Sequence, residues 1–178
     1  GVTQLLNAAE ATTYGLESSL DFAGTDNLTL VSSVSVLDAT FDSFPGAPTS
    51  SPNPFPPFGT IVPAGDASDN DVIRSPRWTA NVGAIYSVET AVGDLSGNIY
   101  YYYNDGFYWE PDNQFEQDAY STLNSSVSWK LPNKKCTFSA YGRNLTDEEY
   151  SYFSTGAQLG NLYSAAPPRT YGVSVEYS

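Results

Sequence analysis

The chain alternates. Between residues 28 and 36 the even positions read Leu28, Leu30, Ser32, Val34 and Val36, and the odd ones Thr29, Val31, Ser33 and Ser35. One face is apolar and the other small and mostly polar, the period-two signature of a half-buried strand. The pattern returns at 78–88, where Trp78, Ala80, Val82, Ala84, Tyr86 and Val88 oppose Thr79, Asn81, Gly83, Ile85 and Ser87. It returns again at 95–103, with Leu95, Gly97, Ile99, Tyr101 and Tyr103 against Ser96, Asn98, Tyr100 and Tyr102. Near the end, Tyr171, Val173, Val175 and Tyr177 oppose Thr170, Gly172, Ser174 and Glu176.

This periodicity predicts seven strands, over 9–23, 27–43, 76–89, 94–108, 117–130, 135–147 and 168–178. Several exceed the usual soluble strand of about five or six residues and suit a tilted membrane strand of about ten. The connections alternate in kind. GTDN (24–27), TAVGD (90–94) and LPNKK (131–135) are tight turns, whereas 44–75, 109–116 and 148–167 are long loops. Short turns at one end and long loops at the other are the layout of an outer-membrane barrel. Trp78, Trp109, Trp129, Tyr171 and Tyr177 stand at strand ends, where interfacial aromatic girdles belong. The expected fold is therefore all-β, an antiparallel up-and-down meander forming part of a larger transmembrane barrel. The competing reading is a soluble, aromatic-rich β-sandwich that binds carbohydrate, since a sandwich also alternates its faces.

Composition sharpens the picture. Among 178 residues, aromatics reach 15% with 14 tyrosines, while charged residues make up only 15% against about a quarter in ordinary domains. The net charge of −13 argues against a nucleic-acid partner, because nothing neutralises a run of phosphates. Histidine is absent, removing the commonest general base and metal ligand. A single cysteine, Cys136, excludes an intrachain disulfide or a CxxC site; it falls on the apolar face with Phe138 and Ala140. No apolar run is long enough for a transmembrane helix, and the sequence opens in mid-pattern, as a piece of a longer chain would. Catalysis is not expected: Glu148 and Glu149 are loop neighbours, not facing carboxylates. No cofactor is implied.

The stretch YGRNLTDEEY (141–150), followed by PPRTYGVSVEYS (167–178), resembles the carboxy-terminal end of TonB-dependent outer-membrane receptors. Arg143, Asn144, Leu145, Asp147 and Tyr150 stand at the family's Asn-Leu-x-Asp step, and Pro168, Arg169, Tyr171 and Gly172 at its final-strand opening. Two further stretches match in order: the Gly-Leu-Glu strand, turn and Asn-Leu-Thr-Leu strand within 7–44, and SPRWTANVGAIYSV (75–88). The family's barrel has about 22 strands around a plug, so residues 1–178 are expected to be its carboxy-terminal part without plug or TonB box. The family usually closes on an aromatic residue, whereas this sequence has Tyr177 and then Ser178.

The resemblance implies uptake of a scarce solute, a ferric siderophore by family frequency, energised through TonB acting on the plug. The implied partners are outer-membrane lipid and lipopolysaccharide, the rest of the barrel and plug, TonB, and a small-molecule ligand. The expected ligand contacts in the outer loops and rim are Phe55, Phe58, Tyr102, Tyr108, Trp109, Tyr152 and Arg169. Asn144 and Asp147 are expected to bond local backbone where pairing ends. Gly172, on the lumen side, is expected to leave room for whatever fills the barrel. Most loop acids, among them Asp105, Glu110, Asp112, Glu116 and Asp118, read as solvated. Asp66, Asp69 and Asp71 carry oxygen ligands suited to calcium but lack an EF-hand's glycine and terminal glutamate, so a metal is not expected.

Overall fold

The computed structural model describes residues 10–157 and 160–177; Ala9 and Ser178, at the ends of two predicted strands, lie outside them. In chain order the strands are β1 (Glu10–Thr25), β2 (Leu28–Ser43), β3 (Pro45–Pro48), β4 (Ser51–Asn53), β5 (Gly59–Ile61), β6 (Ala64–Asp66), β7 (Trp78–Thr90) and β8 (Gly93–Asn104). They continue as β9 (Phe107–Tyr108), β10 (Glu116–Gln117), β11 (Tyr120–Lys130), β12 (Cys136–Arg143), β13 (Ser151–Ala157), β14 (Gly160–Ala165) and β15 (Thr170–Tyr177).

Seven of these form one antiparallel sheet in the order β1-β2-β7-β8-β11-β12-β15. It is the predicted meander, each strand beside its predecessor in the sheet. β1 and β2 run 16 residues each, or about 50 Å at about 3.3 Å per residue, well beyond a bilayer's hydrocarbon core of about 30 Å.

Register separates the two faces. Across one row stand Val88, Leu95, Trp129, Phe138 and Val175, from five successive strands. The neighbouring row on the opposite face is Ser87, Ser96, Ser128, Ser139 and Ser174, with the Ser128 and Ser139 hydroxyls 2.8 Å apart. Tyr101 lies between Val82 and Leu123 on the apolar face, while Tyr102 lies between Asn81 and Thr122 on the polar one. The apolar face is open: Leu16 is 71% exposed and Val173 84%. Among the described residues no second sheet packs across it, which overturns the sandwich reading. A sandwich would bury these positions as its core.

Tyrosine and glycine interlock on the polar face. A Cβ at Gly83 would strike the Tyr100 ring, and one at Gly172 the Tyr141 ring; both are directly opposed pairs. Gly172 therefore does not hold space open for the barrel's contents, as the sequence suggested. The space is taken by Tyr141, whose ring also receives Arg143 at 5.3 Å.

The tight turns stand as predicted. Thr25 Oγ1 accepts the Leu28 N–H at 3.1 Å, Gly93 adopts φ +124°, and the Leu131 N–H donates to the Cys136 carbonyl at 2.9 Å. Strand ends differ from expectation at the loop side. The predicted strand 94–108 stops at Asn104, because Gly106 takes φ +92° and donates its N–H to Asn104 Oδ1 at 2.9 Å. Phe107–Tyr108 and Glu116–Gln117 then form a separate hairpin. The predicted strand 135–147 stops at Arg143, since Asn144 has φ +49°. The long loops also carry hairpins of their own, β3 with β6, β4 with β5, and β13 with β14.

The faces make a direct prediction. In the full-length protein, Ile99→Arg, on the apolar face of β8, should destabilise the bilayer-inserted barrel by about 2–4 kcal/mol. Ser96→Lys, on the polar face of the same strand, should be close to neutral. Urea unfolding titrations in lipid vesicles measure both.

Candidate functional site

The site is built where the sheet ends on the long-loop side. Asn144, 5% exposed, is the first residue after β12. Its N–H donates to Asn124 Oδ1 at 3.0 Å, and its side-chain amide donates to the Glu148 carbonyl at 2.9 Å and the Pro167 carbonyl at 3.3 Å. Its Oδ1 accepts the Glu148 N–H at 3.0 Å. One residue thus stitches β11, through its backbone, to the start of the third loop and the approach to β15, through its side chain. Asp147, at φ +59°, accepts the Arg169 N–H at 2.9 Å and faces its guanidinium at 3.4 Å. Leu145 covers Gly142, where a Cβ would collide with it. The Asn-Leu-Thr-Asp step is a clamp holding the entry of β15 against the exit of β12. Arg169, expected at the ligand rim, is engaged in this clamp.

Above the polar face, tyrosines stack in sequence. Tyr102 approaches Tyr120 at 6.1 Å, Tyr120 lies flat on Tyr150 at 4.4 Å and 5°, and Tyr150 meets Tyr152 edge-on at 5.8 Å. Asn104 Nδ2 holds the Tyr102 hydroxyl at 2.9 Å. Burial first, and then the Tyr152 hydroxyl, pushes the Tyr150 hydroxyl above its ordinary value. The stacked rings and their hydroxyls are suited to stacking and hydrogen bonding. Tyr102 and Tyr152 were expected here; Tyr120 was missed, and its place directly across from Asn104 shows itself only once register is known. Beside the ladder an open cavity of about 640 Å³ is lined by Glu116, Asp118, Glu148, Glu149, Tyr150 and Tyr163 among others.

Three further expectations meet different fates. Phe55 and Phe58 stand out at the tip of the β4–β5 hairpin, 72% and 66% exposed, with Asn53 bracing the tip through the Phe55 N–H and the Pro57 carbonyl. Trp109, expected as girdle and ligand contact, is instead 8% exposed. Phe107 packs on it at 4.8 Å, Phe153 at 6.2 Å and the Arg74 guanidinium at 5.2 Å, so its ring is a packing anchor of the loops. Tyr108 is half-buried in β9, its carbonyl accepting the Arg74 N–H at 2.9 Å.

Asp66, Asp69 and Asp71 do not converge, and no three ligand side chains among the described residues do. The Ser68 hydroxyl and backbone N–H hold Asp66 below the usual carboxylate range, and Asp71 faces Arg77 at 3.6 Å. Glu110 and Asp112 are not simply solvated either. Glu110 accepts the Ser50 hydroxyl at 2.9 Å, the Thr155 hydroxyl, and the Gly156 N–H at 3.3 Å. Asp112 accepts the Ser50 N–H.

A sheet with one continuous apolar face, a polar opposite face, short turns below and interlocked loops above is the wall of an outer-membrane β-barrel. The chain belongs to the TonB-dependent receptors: the family model for the TonB dependent receptor-like β-barrel matches residues 1–145. The family consists of outer-membrane receptors, not enzymes. No curated protein matches. Among solved structures, the ferric yersiniabactin uptake receptor FyuA from Yersinia pestis superposes with a TM-score of 0.75 at 20% identity, over 94% of this chain and 23% of its own. The siderophore receptor PiuA from Acinetobacter baumannii gives 0.70 at 16% identity, covering 94% and 22%. BauA, the ferric preacinetobactin receptor of the same organism, gives 0.67 at 19%, again covering 94% and 22%. The chain thus spans under a quarter of the length of these receptors.

The clamp yields a prediction. Asn144→Ala keeps the backbone bond to Asn124 but removes the side-chain bonds to Glu148 and Pro167, stranding buried backbone groups, which should cost about 1–3 kcal/mol. Thermal unfolding of the full-length receptor in detergent would show it as a lowered midpoint, whereas Thr146→Ala, at an exposed position of the same turn, should change little.

Proposed function

We propose that this chain is the carboxy-terminal wall and outer rim of a receptor that imports a ferric chelate. The complete barrel has about 22 strands around a plug, and the plug lies elsewhere in the protein. Uptake is energised by TonB acting on that plug, and the outer loops border lipopolysaccharide. The observation that carries the substrate reading is the tyrosine ladder of Tyr102, Tyr120, Tyr150 and Tyr152 on the lumen side of the rim. Aromatic and hydroxyl-bearing, it offers flat surfaces and donors to a chelate's organic shell. The likeness to a ferric yersiniabactin uptake receptor, a siderophore receptor and a ferric preacinetobactin receptor supports the same reading. Phe55 and Phe58, held out at the first loop's tip, are placed to close over a bound solute.

The test is growth and binding with the full-length receptor in a strain lacking it. Tyr150→Ala with Tyr152→Ala should weaken binding of the ferric chelate about tenfold, the equivalent of about 1.4 kcal/mol, while leaving barrel assembly intact. Unimpaired growth of the receptor-null strain on every chelated iron source, with growth lost on a glycan, would replace the iron reading with a carbohydrate one.

A further inference from the structure

The second loop's tip reads Glu110-Pro111-Asp112-Asn113-Gln114, and every one of these residues holds another loop. All three polar groups of Ser50, in the first loop, are taken by it. The Ser50 N–H donates to Asp112 Oδ2, its hydroxyl to Glu110 Oε2, and its carbonyl accepts Gln114 Nε2 at 2.7 Å. Further along that loop, Asn70 Nδ2 donates to the Pro111 carbonyl at 2.8 Å. The Asp71 N–H donates to Asn113 Oδ1 at 2.8 Å, and Asn113 Nδ2 returns a bond to the Asp71 carbonyl at 3.1 Å. On the other side Glu110 Oε1 accepts Thr155 and Gly156 of β13, in the third loop. Gly156 is also closed in, since a Cβ there would sit 2.9 Å from Ser50 Oγ and 3.2 Å from Phe115.

The hairpins so joined are weak by themselves. β4 and β5 have three residues each, and an isolated two-stranded hairpin is at best marginally stable in water. Their order has to come from outside, and the second loop supplies it. We propose that Glu110–Gln114 is a clasp that makes the three outer loops one body, with Glu110 as its central positioning residue. The Phe55–Phe58 tip and the β13 strand that starts beside Tyr152 then move together or not at all. A solute cannot draw in the first loop while the third stays open.

Glu110 does this as an acceptor. Its two oxygens face two hydroxyls and one backbone N–H. A glutamine keeps most of the arrangement: its carbonyl takes Thr155 and Gly156, and its amide donates to Ser50 Oγ, whose proton rotates away. Alanine keeps none of it. Glu110→Gln should therefore preserve the clasp, and Glu110→Ala should release the third loop from it while Asp112, Asn113 and Gln114 still hold the first.

The experiment uses the full-length receptor in lipid nanodiscs without solute, with spin labels at Phe58→Cys and Leu162→Cys in an otherwise cysteine-free background. The parent and Glu110→Gln should each give one narrow distance distribution. Glu110→Ala, and Ser50→Ala with Thr155→Val, should widen it about twofold or more, as independent hairpins sample their own openings. The second pair leaves the carboxylate in place and decides the matter if Glu110→Ala does not assemble. Unchanged width in both, or a broad distribution in the parent, would overturn the clasp. Its link to uptake rests on the rim reading above, and the two fail separately. Widened distances with unaltered chelate affinity uphold the clasp and count against the rim tyrosines as ligand contacts.

Discussion

A bilayer's hydrocarbon core offers no hydrogen-bond partner, so every backbone N–H and C=O that enters it must be paired within the sheet. This constraint fixes most of what the chain does. It makes the strands long, the topology a nearest-neighbour meander and the turns on one side as short as two residues. It also makes side-chain direction the only freedom left, and with a period of two that freedom is binary. The row of five serines and the adjacent row of Val88, Leu95, Trp129, Phe138 and Val175 are neighbours along the same strands. A slip of one residue would exchange them, putting hydroxyls into lipid and tryptophan into the lumen. Register is therefore enforced from both faces at once.

Where the ladder stops, side chains take over its work. Among the described residues the buried polar ones are Ser50, Asn104, Gln117, Thr122 and Asn144, and they sit in the loops or at the strand ends that meet them. Asn104 ends β8 by accepting the Gly106 N–H, and Gln117 Oε1 accepts the Ser151 N–H at 2.8 Å, joining the second loop to the third. Asn144 does the same between β12 and β15. Amides and carboxylates act here as displaced pieces of backbone, satisfying groups that would otherwise be buried without partners. The loops are consequently not limp connections. They are a second, side-chain-bonded layer standing on the hydrogen-bonded sheet.

This division explains what could be read in the sequence. Strand number, order and faces follow from alternation, a local property, and the structure keeps all seven strands in their predicted places. The Asn-Leu-Thr-Asp step was legible as a place where pairing ends. Its role as a clamp was not, because Asn144 reaches Pro167 and Asp147 reaches Arg169, about twenty residues away. The Glu110 contacts with Ser50 and Thr155 span 60 and 45 residues, and no periodicity carries such information. Trp109 misled for a related reason. A tryptophan beside a tyrosine-rich strand looks like a girdle residue, but the turn at Asn104–Gly106 takes it off the strand and into the loop base. Gly172 was placed on the correct face, yet its purpose depends on Tyr141 in the strand alongside.

The same logic changes how the acidic character of the outer loops should be understood. The formal charge of −13 suggests a rim that repels anions and draws cations. Several of those carboxylates, however, are spent as acceptors within the protein: Glu110 and Asp112 on Ser50, Asp66 on Ser68, Asp147 on the Arg169 backbone. The arginines are engaged as well, Arg74 over Trp109, Arg77 beside Asp71 and Arg169 beside Asp147. A carboxylate ringed by donors has its charge partly compensated at short range, so the field felt by an approaching solute comes mainly from the exposed remainder. That remainder is concentrated at Glu116, Asp118 and Glu149 around the open cavity next to the tyrosine ladder. Tyrosine rings and bare carboxylates thus lie side by side, with net negative charge at the margin of a surface otherwise built for stacking and hydrogen bonding.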